Sequence, residues 1–392
     1  MIKHLFKLVW NRKHSNFLMI TEIFFSFLVL FGVTSLLLYF WQNYTKPMGF
    51  DTERIWYINV DWHETPDEVV RPSLEQLVKH LESLPEIENV ALASGNPAYT
   101  NWSSIVQLEH NNQQFQVSAM TLQHGNFQDV FGLKLTEGRW FREADAFSNR
   151  SPVIITQDLE RKIFGNASAV GKTLSQSDNR KLVVGVVEAF RTAGELHEDM
   201  GTMFAPSSLA DTSAWVQTTL YVRLAPGATP AFEEKFVKEA TAIGKGWIFN
   251  VWHLDNMRIN YFTTFLTPTL AFVLIAAFLV LNVALGIFGV LWYNINKRYP
   301  EIGLRRALGA RASAIYSQFL GEVMIIATLG LALGSFFAIQ FPLLGIFNVL
   351  PDVYLSAIGI AAFLIYALVV LCAVYPSRQA AAIHPAIALH EE

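Results

Sequence analysis

The chain has 392 residues, of which 52% are hydrophobic, with 30 Phe and a mean hydropathy of +0.30. That is too apolar for an ordinary soluble two-domain protein, so membrane spans are the first expectation. The formal net charge of −4 gives no support to a nucleic-acid surface, and the single cysteine, Cys372, excludes a disulfide framework.

The opening stretch "MIKHLFKLVW" sets Ile2, Leu5, Phe6, Val9 and Trp10 on one stripe, with Lys3 and Lys7 opposite. This pattern predicts an amphipathic helix over 1–16 lying at a membrane interface. Residues 17–41 form the first candidate span and carry one charge, Glu22. Its apolar run is too long for a cleavable signal and no A-x-A site follows, so it is expected to stay as an anchor.

Residues 42–260 are long enough to be a domain rather than a loop. "RPSLEQLVKHLESLP" places Leu74, Leu77, Val78, Leu81 and Leu84 at helical spacing, and "ENVALAS" follows as a strand. "TTLYVRLAPG", "ATPAFEEKFVKEATAIG" and "GWIFNVWHL" read as strand, helix and strand. Two such units, at 50–95 and 216–255, frame the region and predict one α/β lobe built from its two ends. Between them, at 96–215, a second lobe is expected. It contains a hairpin turning at Asn111 and Asn112, then "SPVIITQDLERKIFG" and "KLVVGVVEAF" as strand, helix and strand.

The stretch "FGNASAVGKT", residues 164–173, resembles a phosphate-binding loop at first sight. A P-loop has four residues between its glycines, whereas Gly165 and Gly171 enclose five. The extra residue redirects the amides, so both glycines are expected in turns that leave a short helix over 157–164. His63, His110, His124, His197 and His253 show no metal-ligand spacing, and no nucleophile–base pair stands out. The N-x-[ST] triplets at Asn43, Asn101 and Asn166 are given no role. No catalytic, cofactor or metal site is expected in this chain.

Residues 261–292 form the second span, of which Phe262 to Trp292 is free of charge. At 1.5 Å per residue the uncharged stretch measures about 46 Å, longer than a hydrocarbon core, so the span should tilt or project as a stalk. The third and fourth spans cover 314–341 and 353–375. Lys and Arg crowd the segments 1–16 and 293–313, while "PLLGIFNVLPD" between spans three and four has none. The positive-inside rule then puts both termini, the loop 293–313 and the tail 376–392 in the cytoplasm. Three polar groups fall at membrane depth: Glu22, Asn282 and Glu322. The two carboxylates are functional candidates by default. Both lie near the cytoplasmic boundary, where Arg12, Lys13 or Arg311 offer structural ion pairs, and that reading is preferred. Gly330 and Gly334 form a G-x-x-x-G pair suited to close helix packing. Packing within the chain is preferred over dimerisation for this pair, as it is for Asn282.

The loop "YNINKRYPEIGLRRALGARASAIYSQFLGE" predicts a short helix over Pro300 to Leu308. Pro300 suits the first position, Glu301 the positive end of the dipole, Arg305 and Arg306 the other end, and Gly309 a left-handed cap. A helix this short does not persist alone in water, so Ile302, Leu304 and Leu308 are expected to meet a partner surface.

"RYPEIGLRRALGARASAI..QFLGE" resembles the cytoplasmic signature of the MacB, LolC/LolE and FtsX superfamily of ABC transporter permeases, also called type VII. "GRWFREADA", "SPVIIT", "IFG", "VGKTL" and "VVGVVEAF" are similar to the family's extracytoplasmic pattern, and "YPSRQAAAIHPAIALHEE" to its tail. The resemblance implies an α-helical membrane protein with four transmembrane helices and a large α/β extracytoplasmic domain inserted between helices 1 and 2, with porter-like and sabre-like lobes. It also implies a bacterial inner-membrane location, a second permease subunit forming a homo- or heterodimer, and a pair of cytoplasmic ABC ATPase subunits that bind the ATP and Mg. Pro300, Glu301, Ile302, Gly303, Leu304, Arg305, Arg306, Leu308 and Gly309 would couple to that ATPase. The 16 residues before span one cannot hold the ATPase domain fused there in MacB, so a separate ATPase is expected. Two functions fit: an exporter drawing substrate from the periplasm or outer leaflet, with an accessory periplasmic protein where one is needed, or a mechanotransducer that switches an envelope enzyme or sensor.

Overall fold

The computed structural model describes residues 13–382 apart from 63–64, 96, 101–103, 143–144, 146–150, 178 and 210–218. The expected amphipathic stripe from Ile2 to Trp10, and Arg12, Asn101, His63 and most of the tail, lie outside the described residues. The chain divides into two compact units, one made of residues up to Trp41 together with Leu266 onward, the other of Gln42–Phe265.

In the second unit the chain enters through helix α1 (Lys13–Tyr44) and runs into β1 (Ile55–Asp61), α2 (Asp67–Glu82) and β2 (Ile87–Ser94). The middle section holds β3 (Ile105–His110), β4 (Gln113–Gly125), α3 (Phe127–Phe131), β5 (Leu135–Gly138), β6 (Ser151–Thr156), α4 (Gln157–Phe164), β7 (Thr173–Gln176), β8 (Asn179–Val187) and β9 (Thr202–Pro206). The chain returns through β10 (Thr219–Leu224), α5 (Ala231–Gly244) and β11 (Ile248–His253).

Strands from the two ends interleave in the order β11-β1-β10-β2, every pair antiparallel. Alternation along each strand divides the side chains between two cores. Trp56, Ile58, Val60, Leu220 and Val222 pack with Val70, Leu74, Leu77 and Leu81 of α2 and Phe232 and Phe236 of α5. Ile55, Ala91, Ala93 and Tyr221 face the other way, onto Phe127, Val130 and Phe131 of α3. This is the split β-α-β pair anticipated from the sequence. α2 starts at Asp67, several residues before the quoted motif, where Asp67 and Glu68 complement the helix dipole.

The middle section differs from a free-standing lobe in two ways. It is joined to the first through β2–β4 pairing, so all eleven described strands belong to one sheet. It also closes on itself: β3 pairs with β4, β4 with β9, β9 with β6, β6 with β8, β8 with β7 and β7 with β3. The 13-residue β4 makes this possible: Gln113 to Ser118 meets β3, Thr121 to Gly125 meets β2, and Ser118 to Leu122, overlapping both, meets β9. The ring explains the unbroken apolar runs "VIIT" and "VVGVV". β6 and β8 lie parallel and are buried on both faces, with Val153 and Ile155 in one core and Ile154 in another. The β3–β4 hairpin turns at Asn111 and Asn112, both at positive φ as a two-residue primed turn requires.

Among the described residues, four helices are long and apolar enough to cross a membrane. They are α1, the 44-residue α6 (Leu254–Lys297), α8 (Ala312–Ala338) and α9 (Pro351–Ala381), with the short α7 (Tyr299–Ala307) between α6 and α8. α6 follows β11 without a linker and spans about 66 Å at 1.5 Å per residue. In the first unit, Ala357, Ala361, Ile365, Val369 and Ala373 recur every fourth residue along α9 and are fully buried. Gly330 and Gly334 of α8 lie against α1. A Cβ at Gly330 would come 2.9 Å from Ile23 Cγ2, and one at Gly334 2.3 Å from Phe27 Cδ1. The glycine pair is thus spent on packing within the chain. Leu270, Phe272, Leu274, Phe278, Leu281 and Leu285 of α6 stay exposed, a surface that an apolar solvent accommodates.

Candidate functional site

α7 is built as its sequence predicts. Pro300 occupies its first turn, where no N–H is needed, and Glu301 sits at the positive end of the dipole. The other end closes as a Schellman motif: Ala310 N–H donates to Arg305 O, Gly309 N–H donates to Arg306 O, and Gly309 has φ +92°. Only Arg298 separates α7 from α6, and Ile302 N–H donates to Arg298 O at 2.9 Å.

The two faces of α7 do different things. Ile302, expected at a partner surface, is instead buried in the chain's own core with Ile295, Ile315, Phe319, Ala380 and Tyr299. The bend at Arg298 between α6 and α7 turns it inward, together with Gly303. Leu304 is 51% exposed and Leu308 80%, so these two carry the apolar part of the free face.

A continuous polar chain fastens α7 to α8. Glu301 pairs with Arg305 at 2.5 Å, Arg305 Nη1 donates to Gln318 Oε1 at 3.0 Å, and Gln318 Nε2 donates to Glu322 Oε1 at 3.2 Å. Glu322 in turn accepts from Arg298 Nη1 at 3.1 and 3.3 Å. The Glu322 ion pair expected from the sequence exists, but its partner is Arg298 and not Arg311, which lies exposed at the start of α8. The bend between α6 and α7 brings Arg298 over the Phe319 ring, 5.8 Å from its centroid. Both side chains are largely buried, and removing one member of a buried ion pair leaves the other without its counter-ion. Arg306 Nη1 donates to Ala310 O and helps hold the turn.

Glu22 and Asn282 are not part of this cluster. Glu22 is half-buried against Gly286, where a Cβ would come 2.7 Å from its Oε2, and it makes no ion pair among the described residues. Asn282 Nδ2 donates to Phe278 O one turn back, satisfying itself within α6 rather than between helices.

The loop 164–173 is committed to the fold. Gly165 N–H donates to Arg161 O, Gly171 to Val183 O, Lys172 to Ala169 O, and Ala169 to the Glu160 carboxylate. These amides are not free to wrap a phosphate. Lys172 Nζ sits 4.7 Å from the Phe164 ring centroid, a cation–π contact within the loop. Gly165 and Gly171 adopt positive φ, as turn residues do.

The family model for a MacB-like periplasmic core domain matches residues 17–238, and that for an FtsX-like permease C-terminal region matches 247–385. The chain belongs to the MacB/FtsX-type permeases. It is similar to the macrolide export ATP-binding/permease protein MacB 1/2 of Paracoccus denitrificans, with 30% identity over 55% of the permease and 33% of that relative. It is also similar to MacB of Escherichia coli K12, with 24% identity over 67% of the permease and 41% of the relative. The permease thus spans less than half the length of these curated relatives. Among solved structures, the periplasmic region of MacB from Actinobacillus actinomycetemcomitans aligns with 54% of the permease and 94% of its own chain at 18% identity, TM-score 0.39. The extracellular domain of the noncanonic ABC-type transporter YknZ aligns with 50% of the permease and 99% of its own chain at 17% identity, TM-score 0.36. Four apolar helices and both domain matches make the permease a multi-pass membrane protein with an ABC-type permease role.

Proposed function

We propose that this permease converts ATP hydrolysis by an ABC ATPase on a separate chain into movement of residues 42–260, and so exports or extracts a substrate from the periplasm or the outer leaflet. Both termini and the segment 293–313 face the cytoplasm in this reading, as the Lys and Arg distribution favours. The ATPase pair, which binds ATP and Mg, seats on α7, and a second permease subunit completes the assembly in the bacterial inner membrane. The relatives' names, which join ATP binding to a permease and to macrolide export, support this class of activity.

One observation carries the reading. α7 is locked to α8 on one side by Ile302 and the polar chain through Gln318, while Leu304 and Leu308 remain open on the other. A helix so short gains a firm seat and an apolar handle, the two properties needed to receive a push. Covering the exposed part of each leucine contributes about 1 to 2.5 kcal/mol, or about five- to seventyfold in affinity.

The test is pull-down of the ATPase and ATP hydrolysis in nanodiscs with Leu304→Asp and Leu308→Asp, each checked for normal insertion. Loss of partner binding is expected in both. Wild-type binding and turnover in the two variants would refute α7 as the coupling element.

A further inference from the structure

The segment 188–201, which links β8 to β9, is pinned on both sides by contacts unlike those of an ordinary surface loop. Arg191 is 1% exposed although it carries a full charge. It is held by backbone carbonyls: Nη1 donates to Asn43 O at 2.8 Å and Lys46 O at 3.4 Å, and Nη2 donates to His197 O at 2.6 Å and Glu195 O at 3.4 Å. Asn43 belongs to the last turn of α1, and Lys46 lies just beyond that helix. Arg191 N–H also donates to Met48 O, and Gly49, at φ +83°, lies so close to Ala189 that a Cβ would come 2.0 Å from its carbonyl oxygen. No other residue type fits there.

The opposite side of the segment grips the first three turns of α6. Tyr261 OH donates to Ala193 O at 2.8 Å and lies 2.6 Å from His197 Nδ1. Gly194, at φ +77°, packs on the Tyr261 ring, where a Cβ would come 2.7 Å from Cζ. Arg258 Nε donates to Glu195 Oε1 at 2.5 Å, Tyr99 OH donates to the same oxygen at 3.2 Å, and Glu195 is 4% exposed. His197 also meets the Phe265 ring edge-on at 4.4 Å.

We infer that the segment 188–201 is a joint that ties the outer ends of α1 and α6 together and passes their displacement into the strand ring through β8 and β9. The inference rests on the proposed ATP-driven movement and adds the residues that deliver it. A buried guanidinium shared among carbonyls of two chain segments is stiff, because each bond lost leaves a charged donor unsatisfied in a dry site. Glycines with no room for a Cβ remove the slack that side chains would leave. Arg191, Glu195 and Tyr261 act as positioning residues and touch no substrate.

The experiment uses the full chain with the ATPase that co-purifies with it, in nanodiscs, in a Cys372→Ala background. Spin labels at Thr45→Cys and Thr264→Cys report on the outer ends of α1 and α6. Labels at Thr264→Cys and Glu109→Cys report on the ring relative to α6. Both distances are measured without nucleotide and with ATP and vanadate, in the otherwise wild-type chain and in Arg258→Gln/Tyr261→Phe, which keeps the Tyr261 ring on Gly194 and removes the polar contacts. Both distances should respond to nucleotide in the wild-type chain. In the variant the first response should persist and the second should be lost, with melting close to wild type as the control for folding. A ring response that survives unchanged in the variant, and also in Arg191→Lys, overturns the joint. Absence of any nucleotide response in the wild-type chain overturns the ATP-driven reading itself, and the joint with it.

Discussion

Gly334 offers a direct test of the packing between α1 and α8. A Cβ placed there would lie 2.3 Å from Phe27 Cδ1 and 3.0 Å from Cε1, and Phe27 is fully buried. Ordinary contact begins near 3.4 Å, so Gly334→Ala must push the ring or the helix by more than an ångström. Overpacking of this kind costs about 1 to 3 kcal/mol, partly offset by alanine's helix propensity of up to about 1 kcal/mol. Gly289→Ala and Gly359→Ala are the controls, since nothing lies within 4 Å of a Cβ at either site. These should be neutral or slightly stabilising. The assay is thermal melting of the purified chain in one detergent at one scan rate, where the apparent Tm is read as a rank order. Gly334→Ala should melt well below both controls. Phe27→Leu should relieve the clash, so that Gly334→Ala/Phe27→Leu melts close to Phe27→Leu alone, a coupling of about 1 kcal/mol or more. If Gly334→Ala melts with Gly289→Ala, the close approach of α1 to α8 is wrong.

Two further outcomes are expected. Lys172→Ala removes a cation–π contact worth about 0.5 to 1 kcal/mol, so it should lower the Tm of residues 42–265 by only a few degrees and leave ATP hydrolysis by the assembled complex unchanged; abolished hydrolysis in a folded variant would restore the phosphate-loop reading. Burial pushes the Asp199 carboxyl up to about 7, with Arg191 opposing and Asp158 reinforcing the shift. The folded chain therefore holds this proton more tightly than the unfolded one, and its stability contribution is full below about pH 4 and lost as pH rises through 7. Asp199→Asn should flatten that slope and raise stability at pH 8 by at most about 4 kcal/mol, less for the exposure the carboxylate retains. His197, whose pKa burial and Arg191 lower, works in the opposite sense and is unchanged in the variant. Equal pH slopes of denaturant midpoint in the two proteins would refute the assignment.

The parts of the fold governed by local pattern were readable in advance. Leu74, Leu77, Val78 and Leu81 show the helical period and are buried together, and Asn111-Asn112 marks the hairpin. β9 was not read, because "TMFAP" is five residues long and owes its extended form to β4 and β6. Ring closure depends on Ser118 to Leu122 meeting Thr202 to Pro206, a parallel pairing with no local signature. In the candidate site, the helix, its proline start and its glycine stop follow from residue type alone. The direction in which Ile302 points follows from the bend at Arg298, and the Arg305–Gln318 contact joins two helices whose relative angle no single-chain periodicity records. The i,i+4 spacing of Gln318 and Glu322 was the one local hint of the polar chain.

The interleaving of the outer strands also fixes an order of assembly. All six strands of the ring lie between Ile105 and Pro206, so the ring has its partners as soon as that stretch has been made. β1 is in the opposite position: Ile55 waits for Arg223, and Trp56 for His253. Pairings this far apart in sequence form late and leave apolar strand edges open in the meantime. A nascent or truncated chain that stops before Thr219 therefore carries a finished ring beside an unpaired strand bearing Ile55, Trp56, Ile58 and Val60, a template for pairing with another chain. The interval in which residues 219–253 emerge is when this domain most needs protection from its neighbours.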